Sequence, residues 1–183
     1  MSDLKEAWMA LESHWRITPK DARITGDASY GFMRWTLAPF FRMILRVKIR
    51  GIGNVPKSGP TILAANHLSH VDPLVVILAS RRRTHYLAKD GHFRNVALRT
   101  FMRATGQIET NRETGGADAL SSAAVVLHAN RALGIFPEGT RSKKTEPPFL
   151  LPGKTGIARL AASYPDVPVV PIGLTGTREF MTP

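Results

Sequence analysis

Hydrophobic residues recur at helical spacing in the first part of the chain and in short strand-length runs in the rest. Leu4 to Trp15 reads as a short amphipathic helix, followed by a polar, turn-like stretch from Thr18 to Ser29. From Tyr30 to Val47 (YGFMRWTLAPFFRMILRV) large apolar and aromatic residues alternate with Arg34, Arg42 and Arg46, and Pro39 is expected to interrupt any helix. Such a segment suits either packing on its own domain or lying in a membrane interface with its arginine heads turned to water. Residues 1–44 are accordingly read as an N-terminal helical segment able to associate with a membrane, and residues 45–183 as the main domain.

The main domain alternates two kinds of segment. Strands are expected at Leu45 to Arg50, Thr61 to Ala65, Thr84 to Ala88, Gln107 to Thr110, Leu133 to Pro137 and Val167 to Leu174. Helices are expected between them at Pro73 to Ser80, Phe93 to Ala104, Ala117 to Asn130 and Lys154 to Ser163. This alternation predicts a single α/β domain with a central mixed, largely parallel sheet flanked by helices. Functional groups of such sheets gather at strand ends, in the loops that feed the helices.

Composition narrows the function classes. The 183 residues are enough for one domain with a real core. With no cysteine there is no disulfide framework, thiolate nucleophile or Cys-ligated metal centre, which fits a cytoplasmic protein. Twenty-five Lys and Arg against fourteen Asp and Glu give a formal charge of +11, so the natural partner is anionic: a phosphorylated substrate, an anionic membrane or a nucleic acid. Met1 to Glu12 lacks the pattern of a signal peptide, and no apolar run approaches the ~18 residues of a membrane span.

Two segments carry candidate chemistry. In Asn66-His67-Leu68-Ser69-His70-Val71-Asp72-Pro73, Asp72 followed by Pro73 reads as an N-cap and a first-turn proline, so a helix starts there. A loop that folds back before that cap can bring an imidazole onto the Asp72 carboxylate, the arrangement a hydroxyl-activating base needs. Spacing leaves His67 and His70 both open as that base. A metal site on the same three side chains is the weaker reading, because no further ligands stand nearby. The second segment is Phe136-Pro137-Glu138-Gly139-Thr140-Arg141-Ser142. Gly139 permits close backbone approach, Thr140 and Ser142 offer hydroxyls, and Arg141 offers a planar fork suited to phosphate. Glu138 is out of place beside a phosphate unless it orients Arg141 or binds a substrate hydroxyl.

Weaker signals are Gly106-Gln107-Ile108-Glu109-Thr110-Asn111-Arg112, a strand ending in an arginine, and Val167-Pro168-Val169-Val170-Pro171-Ile172-Gly173, best read as a buried core strand. Pro-Gly-Lys-Thr at 152–155 is not a phosphate loop, since the glycine required five positions before Gly153 is Pro148.

NHLSHVD, GQIETNR, FPEGTRS and VPVVPIG in this order resemble the glycerolipid acyltransferase family, which includes the 1-acylglycerol-3-phosphate (lysophosphatidate) acyltransferases. The resemblance covers about residues 45–177, with GIGNVPKSGPTILAANH, LAKDGHF and KTGIARLA as supporting matches. It implies that His67 is the general base for the acceptor hydroxyl and Asp72 its orienting carboxylate. It also implies that Glu138, Gly139, Thr140 and Arg141 bind the acceptor, with Arg141 on its phosphate and Arg112 assisting. The implied reaction makes phosphatidate from lysophosphatidate by direct attack on an acyl thioester of coenzyme A or acyl carrier protein. No bound cofactor, no metal and no nucleic-acid partner are expected. The implied place is cytoplasmic, peripheral on the inner face of the cell membrane.

Glu109 and Thr110 depart from the apolar or proline residues usual in the family, which leaves as the alternative the same chemistry on a different acceptor: another lysophospholipid, glycerol 3-phosphate, a glycolipid or an amino-acid lipid. The chain also ends six residues after Thr177, sooner than family members generally do, as expected of a fragment or of a domain without the closing strand and helix. A reading of another class is a non-catalytic basic module for membrane or nucleic acid, with Arg81-Arg82-Arg83 as its patch.

Overall fold

The computed structural model describes residues 2–21, 24, 27–44, 46–89, 96, 100, 107–110 and 116–180. Two helices come first, α1 (Ser2–His14) and α2 (Asp27–Ile44). A single 3-10 turn at Ile52–Asn54 leads into β1 (Thr61–Ala65), α3 (Asp72–Ser80) and β2 (Thr84–Lys89). Then come β3 (Ile108–Thr110), α4 (Gly116–His128), β4 (Ala132–Ile135), α5 (Gly156–Ser163), β5 (Val169–Ile172) and the short α6 (Thr177–Phe180).

The five strands form one sheet in the order β3-β2-β4-β1-β5, and every pairing is parallel. Thr61 lies opposite Ala132, Ile62 opposite Val169, Thr84 opposite Ala132 and Leu87 opposite Ile108. Parallel pairing requires crossovers, and among the described residues α3 supplies one on one face and α4 and α5 supply two on the other. Period-2 alternation along the strands sorts the core into two halves. Ile62 and Leu133 face Leu120, Ala123, Val126, Leu127 and Leu160 of α4 and α5. Leu63, Ala65, Tyr86 and Ala132 face Val76 of α3, together with Leu174. Ile62, Leu63 and Leu133 are fully buried, and each such side chain contributes about 1.5–3 kcal/mol relative to exposure.

Several expectations need correction. Leu45 to Arg50 alternates like a strand, yet Val47–Arg50 forms no ladder. Both sides of β1 are already taken by β4 and β5, so the alternation has no edge to join there. Pro39 does not end α2, which runs on to Ile44. The fifth strand is not buried core: β5 lies at the sheet edge with alternating exposure, and Val169 is 40% exposed. An edge strand has one side without a partner, which is where a proline such as Pro171 fits. The helix expected at Phe93–Ala104 lies outside the described residues, except that Val96 and Thr100 are helical.

The N-terminal part is tied to the sheet domain by polar contacts. Ser163 Oγ donates to the Trp15 carbonyl at 2.6 Å and the Tyr164 hydroxyl to the Ile17 carbonyl at 2.8 Å. Lys20 pairs with Asp118 of α4 at 3.2 Å, and Arg42 of α2 donates to the Leu78 carbonyl at 2.5 Å. Tyr30 is buried, and its hydroxyl accepts the Thr84 N–H at 3.0 Å. The outer side of α2 carries Phe32, Trp35, Phe40 and Met43 into solvent, with Trp35 79% exposed. Tyr30 to Val47 therefore both packs on its own domain and presents an apolar stripe. Among the described residues no helix is long and apolar enough to cross a membrane.

Candidate active site

The chain leaves β1 toward β2 through α3 on one face, and leaves the adjacent β4 toward β5 through α5 on the other. Neighbouring strands whose connections diverge in this way open a crevice at their carboxyl ends. His67 follows β1 and Glu138 follows β4, so the two motifs meet there.

The turn from Asn66 to Asp72 is organised by one carboxylate. Asp72 is fully buried, and its Oδ2 accepts the Leu68 N–H at 2.6 Å, the Ser69 N–H at 2.7 Å and the His67 Nδ1 at 2.9 Å. Val71, not Asp72, is the N-cap of α3; Asp72 is its first residue. The carboxylate thus turns back into the preceding loop instead of capping the helix. That choice settles which histidine meets it: His67 does, while His70 is exposed. Burial pushes the Asp72 carboxyl up. The His67 ring, the neighbouring Thr177 hydroxyl and the Ser69 and Leu68 N–H groups outweigh that effect and hold its pKa below the usual carboxylate value. Asp72 is therefore ionised at neutral pH, His67 is held by Nδ1, and Nε2 is left for chemistry. Thr177 Oγ1 and Asp72 Oδ1 are both buried and close no hydrogen bond among the described residues, so the hydroxyl lowers the Asp72 pKa from beyond hydrogen-bond geometry.

Three further loops are locked around this pair. Glu138 Oε1 accepts the His67 N–H at 3.1 Å and Oε2 accepts the Leu151 N–H at 3.0 Å. The Ser142 N–H donates to the His67 carbonyl at 2.9 Å and the Lys154 N–H to the Pro137 carbonyl at 2.8 Å. Asn66 grips the strand exit beyond β5: its Nδ2 donates to the Leu174 carbonyl at 3.0 Å, and its Oδ1 accepts the Leu174 N–H at 2.6 Å. Gly139 sits at φ +69°, where a side chain is strained, and its N–H donates to the Phe136 carbonyl at 2.9 Å. A Cβ on Gly139 would also come within 3.1 Å of the Lys154 ammonium.

Of the residues singled out in the sequence, the structure brings together His67, Asp72, Glu138 and Gly139. Arg141 is half-buried in the same loop, and its Nη1 is buried with no hydrogen-bond partner among the described residues. A buried guanidinium donor without a partner is a natural seat for an anionic oxygen. Thr140 is exposed beside it. Arg112 lies outside the described residues. Within the arginine run Arg82 is engaged: it donates Nη1 to the Pro56 carbonyl at 2.6 Å and to Thr61 Oγ1 at 3.0 Å, and Nη2 to the Gly59 carbonyl. It fastens the loop before β1.

Asn66, Phe136 and Thr177 were not given roles by sequence reasoning. Asn66 and Phe136 sit directly beside recognised positions, which was the available signal. Thr177 stands 105 positions beyond Asp72 at the start of α6, in a stretch of ordinary composition, and nothing local marks it.

Comparison with known proteins shows the family. The family model described as Acyltransferase matches residues 46–175. A 1-acyl-sn-glycerol-3-phosphate acyltransferase from Borreliella burgdorferi is 28% identical over 138 residues, 74% of this chain and 54% of the relative. A chloroplastic enzyme of the same name from Brassica napus is 30% identical over 80% of this chain and 41% of its own. The chain thus spans about half the length of these relatives. Its fold matches the crystal structure of the 1-acyl-sn-glycerophosphate acyltransferase from Thermotoga maritima with a TM-score of 0.61 at 23% identity, over 78% of this chain and 57% of that one. With the family model matching well over half of its residues, the chain belongs to the acyltransferase family.

Proposed function

We propose that this chain transfers a fatty acyl group from an acyl thioester, of coenzyme A or acyl carrier protein, to the free hydroxyl of lysophosphatidate, forming phosphatidate. The observation that carries this reading is the 2.9 Å contact between His67 Nδ1 and the fully buried Asp72 carboxylate. Nε2 takes the proton of the acceptor hydroxyl as its oxygen attacks the thioester carbonyl. The new C–O bond forms, the C–S bond breaks, and the imidazolium returns the proton to the departing thiolate. Asp72 holds the ring in one orientation and balances its charge while it carries that proton. The relatives named above support lysophosphatidate as the acceptor. Arg141 supports a phosphate on it, because Nη1 is buried with no partner among the described residues.

The same reading places the protein at an anionic membrane surface. Phe32, Trp35, Phe40 and Met43 on α2, with Leu4 and Met9 on α1, are exposed large apolar side chains on a chain of charge +11. A lipid acceptor held in that surface would be delivered without crossing water.

The test is thiol release by the purified chain with a long-chain acyl-coenzyme A, and separately acyl carrier protein thioester, in the presence of lysophosphatidate. Turnover that falls by about 10²–10⁴ in His67→Ala is expected. Turnover unchanged in His67→Ala would overturn the mechanism.

A further inference from the structure

The His67 imidazole is held on its face as well as at its edge. The Phe136 ring lies parallel to it, with centroids 3.9 Å apart and planes 12° apart. Behind Phe136 lies Tyr86, with centroids 5.2 Å apart and planes 17° apart. The three rings form one pile, and the sheet register makes room for it. Tyr86 pairs with Gly134, where a Cβ would fall 2.2 Å from the Tyr86 Cζ. Phe136 stands two residues after Gly134 and so on the same face.

We propose that Phe136 is a positioning residue that favours the protonated state of His67 through the negative face of its ring. This rests on His67 acting as the base, as read above. When His67 takes the acceptor proton, a full positive charge forms in a ring stacked on that face, and an aromatic face attracts a cation. One carboxylate, Asp72, contacts the imidazole, at Nδ1 from the start of α3; Glu138, from the loop after β4, holds the His67 backbone N–H. Tyr86 is shielded from the imidazole by Phe136, and burial pushes its phenol up, so it stays neutral. Substitution at 136 leaves both carboxylates in place and changes only the face.

The experiment is the pH titration of the His67 ring by NMR in the full chain. His67→Gln identifies its signal among the six histidines, and the pH profile of kcat/KM is taken alongside. Phe136→Leu is expected to lower the His67 midpoint, and with it the acidic limb of the profile, by about 0.4–1.5 pH units. Phe136→Tyr is expected to keep both. Trifluorophenylalanine placed at position 136 keeps the ring's shape while removing most of its face charge, and should lower the midpoint in the same direction even if the leucine variant does not fold. A midpoint within 0.2 units of wild type, as roughly the resolution of the titration, in a folded leucine or trifluorophenylalanine variant would overturn the proposal. A midpoint that shifts while no acyl acceptor supports turnover would leave the ring effect intact and refute the acyl-transfer reading instead.

Discussion

Replacing Glu138 by glutamine separates two roles that this carboxylate could play. It is 6% exposed, and its two oxygens each accept a backbone N–H, from His67 at 3.1 Å and from Leu151 at 3.0 Å. Glutamine has one oxygen and one NH₂ in the same places, so one of those N–H groups must face another donor. A buried N–H left without an acceptor costs about 1–3 kcal/mol, and the surviving bond loses its charge assistance, roughly another 1 kcal/mol. The lower cost of burying an amide offsets part of this, leaving a net loss of about 2 kcal/mol. For a chain of this size that is a fall of about 4–8 °C in Tm. Because His67 supplies one of the donors, the base is displaced too, and a shift near 1 Å can cost on the order of 10²-fold in rate. Urea and thermal unfolding give the first number, and thiol release with acceptor titration below the transition gives the second. A Glu138→Gln variant with wild-type unfolding and kcat, and only a raised KM for the acceptor, would refute the reasoning. It would place the carboxylate on the substrate instead of between the loops.

Asp72→Asn keeps an acceptor for the Leu68 and Ser69 N–H groups but removes the charge opposite the imidazolium, so kcat should fall about 10²–10⁴-fold while the fold survives; a loss under ten-fold would contradict the pairing. The Asp72 pKa is lowered in the folded chain, so its ionised form stabilises above its unfolded value near 4 and that stability is lost as pH falls through the lower folded value. The stability gap between wild type and Asp72→Asn should therefore close on acidification below about pH 4, as read by urea midpoints. Asn66→Ala strips both partners from Leu174, which is buried, and should cost about 2–4 kcal/mol in unfolding measurements. Trp35→Glu should weaken sedimentation with phosphatidylglycerol vesicles and leave thiol release from a detergent-dispersed acceptor unchanged; equal vesicle binding by both forms would remove α2 from the membrane surface.

Much of the sheet was legible along the chain because its strands are apolar runs bounded by Pro, Gly and Asn. Thr61–Ala65 is the strand expected, Thr84–Lys89 and Ala132–Ile135 differ from expectation by a residue or two at their ends, and α3, α4 and α5 lie where helical spacing put them. The alternation at Leu45 to Arg50 misled because a strand is a relation between two segments, and a pattern along one segment cannot show whether a partner lies beside it. The order β3-β2-β4-β1-β5 was invisible for the same reason, since each pairing joins residues far apart in sequence.

At the site, the residue types and their order in the chain marked the candidate groups: a histidine and a carboxylate before a helix, and an arginine in a glycine turn after a strand. The choice between His67 and His70 was left to the loop, which turns on where three donors converge on Asp72 Oδ2. Glu138 looked like a ligand-binding group in sequence, and in three dimensions each of its oxygens also accepts a backbone N–H of another loop. The ring pile of His67, Phe136 and Tyr86 needs β2 beside β4 and a glycine at 134. Sequence thus determined which groups are available, through local patterns of charge, size and backbone freedom. Tertiary structure decided which of them touch, because hydrogen bonds and ring contacts reach only a few ångströms and depend on where distant segments of the chain come to lie.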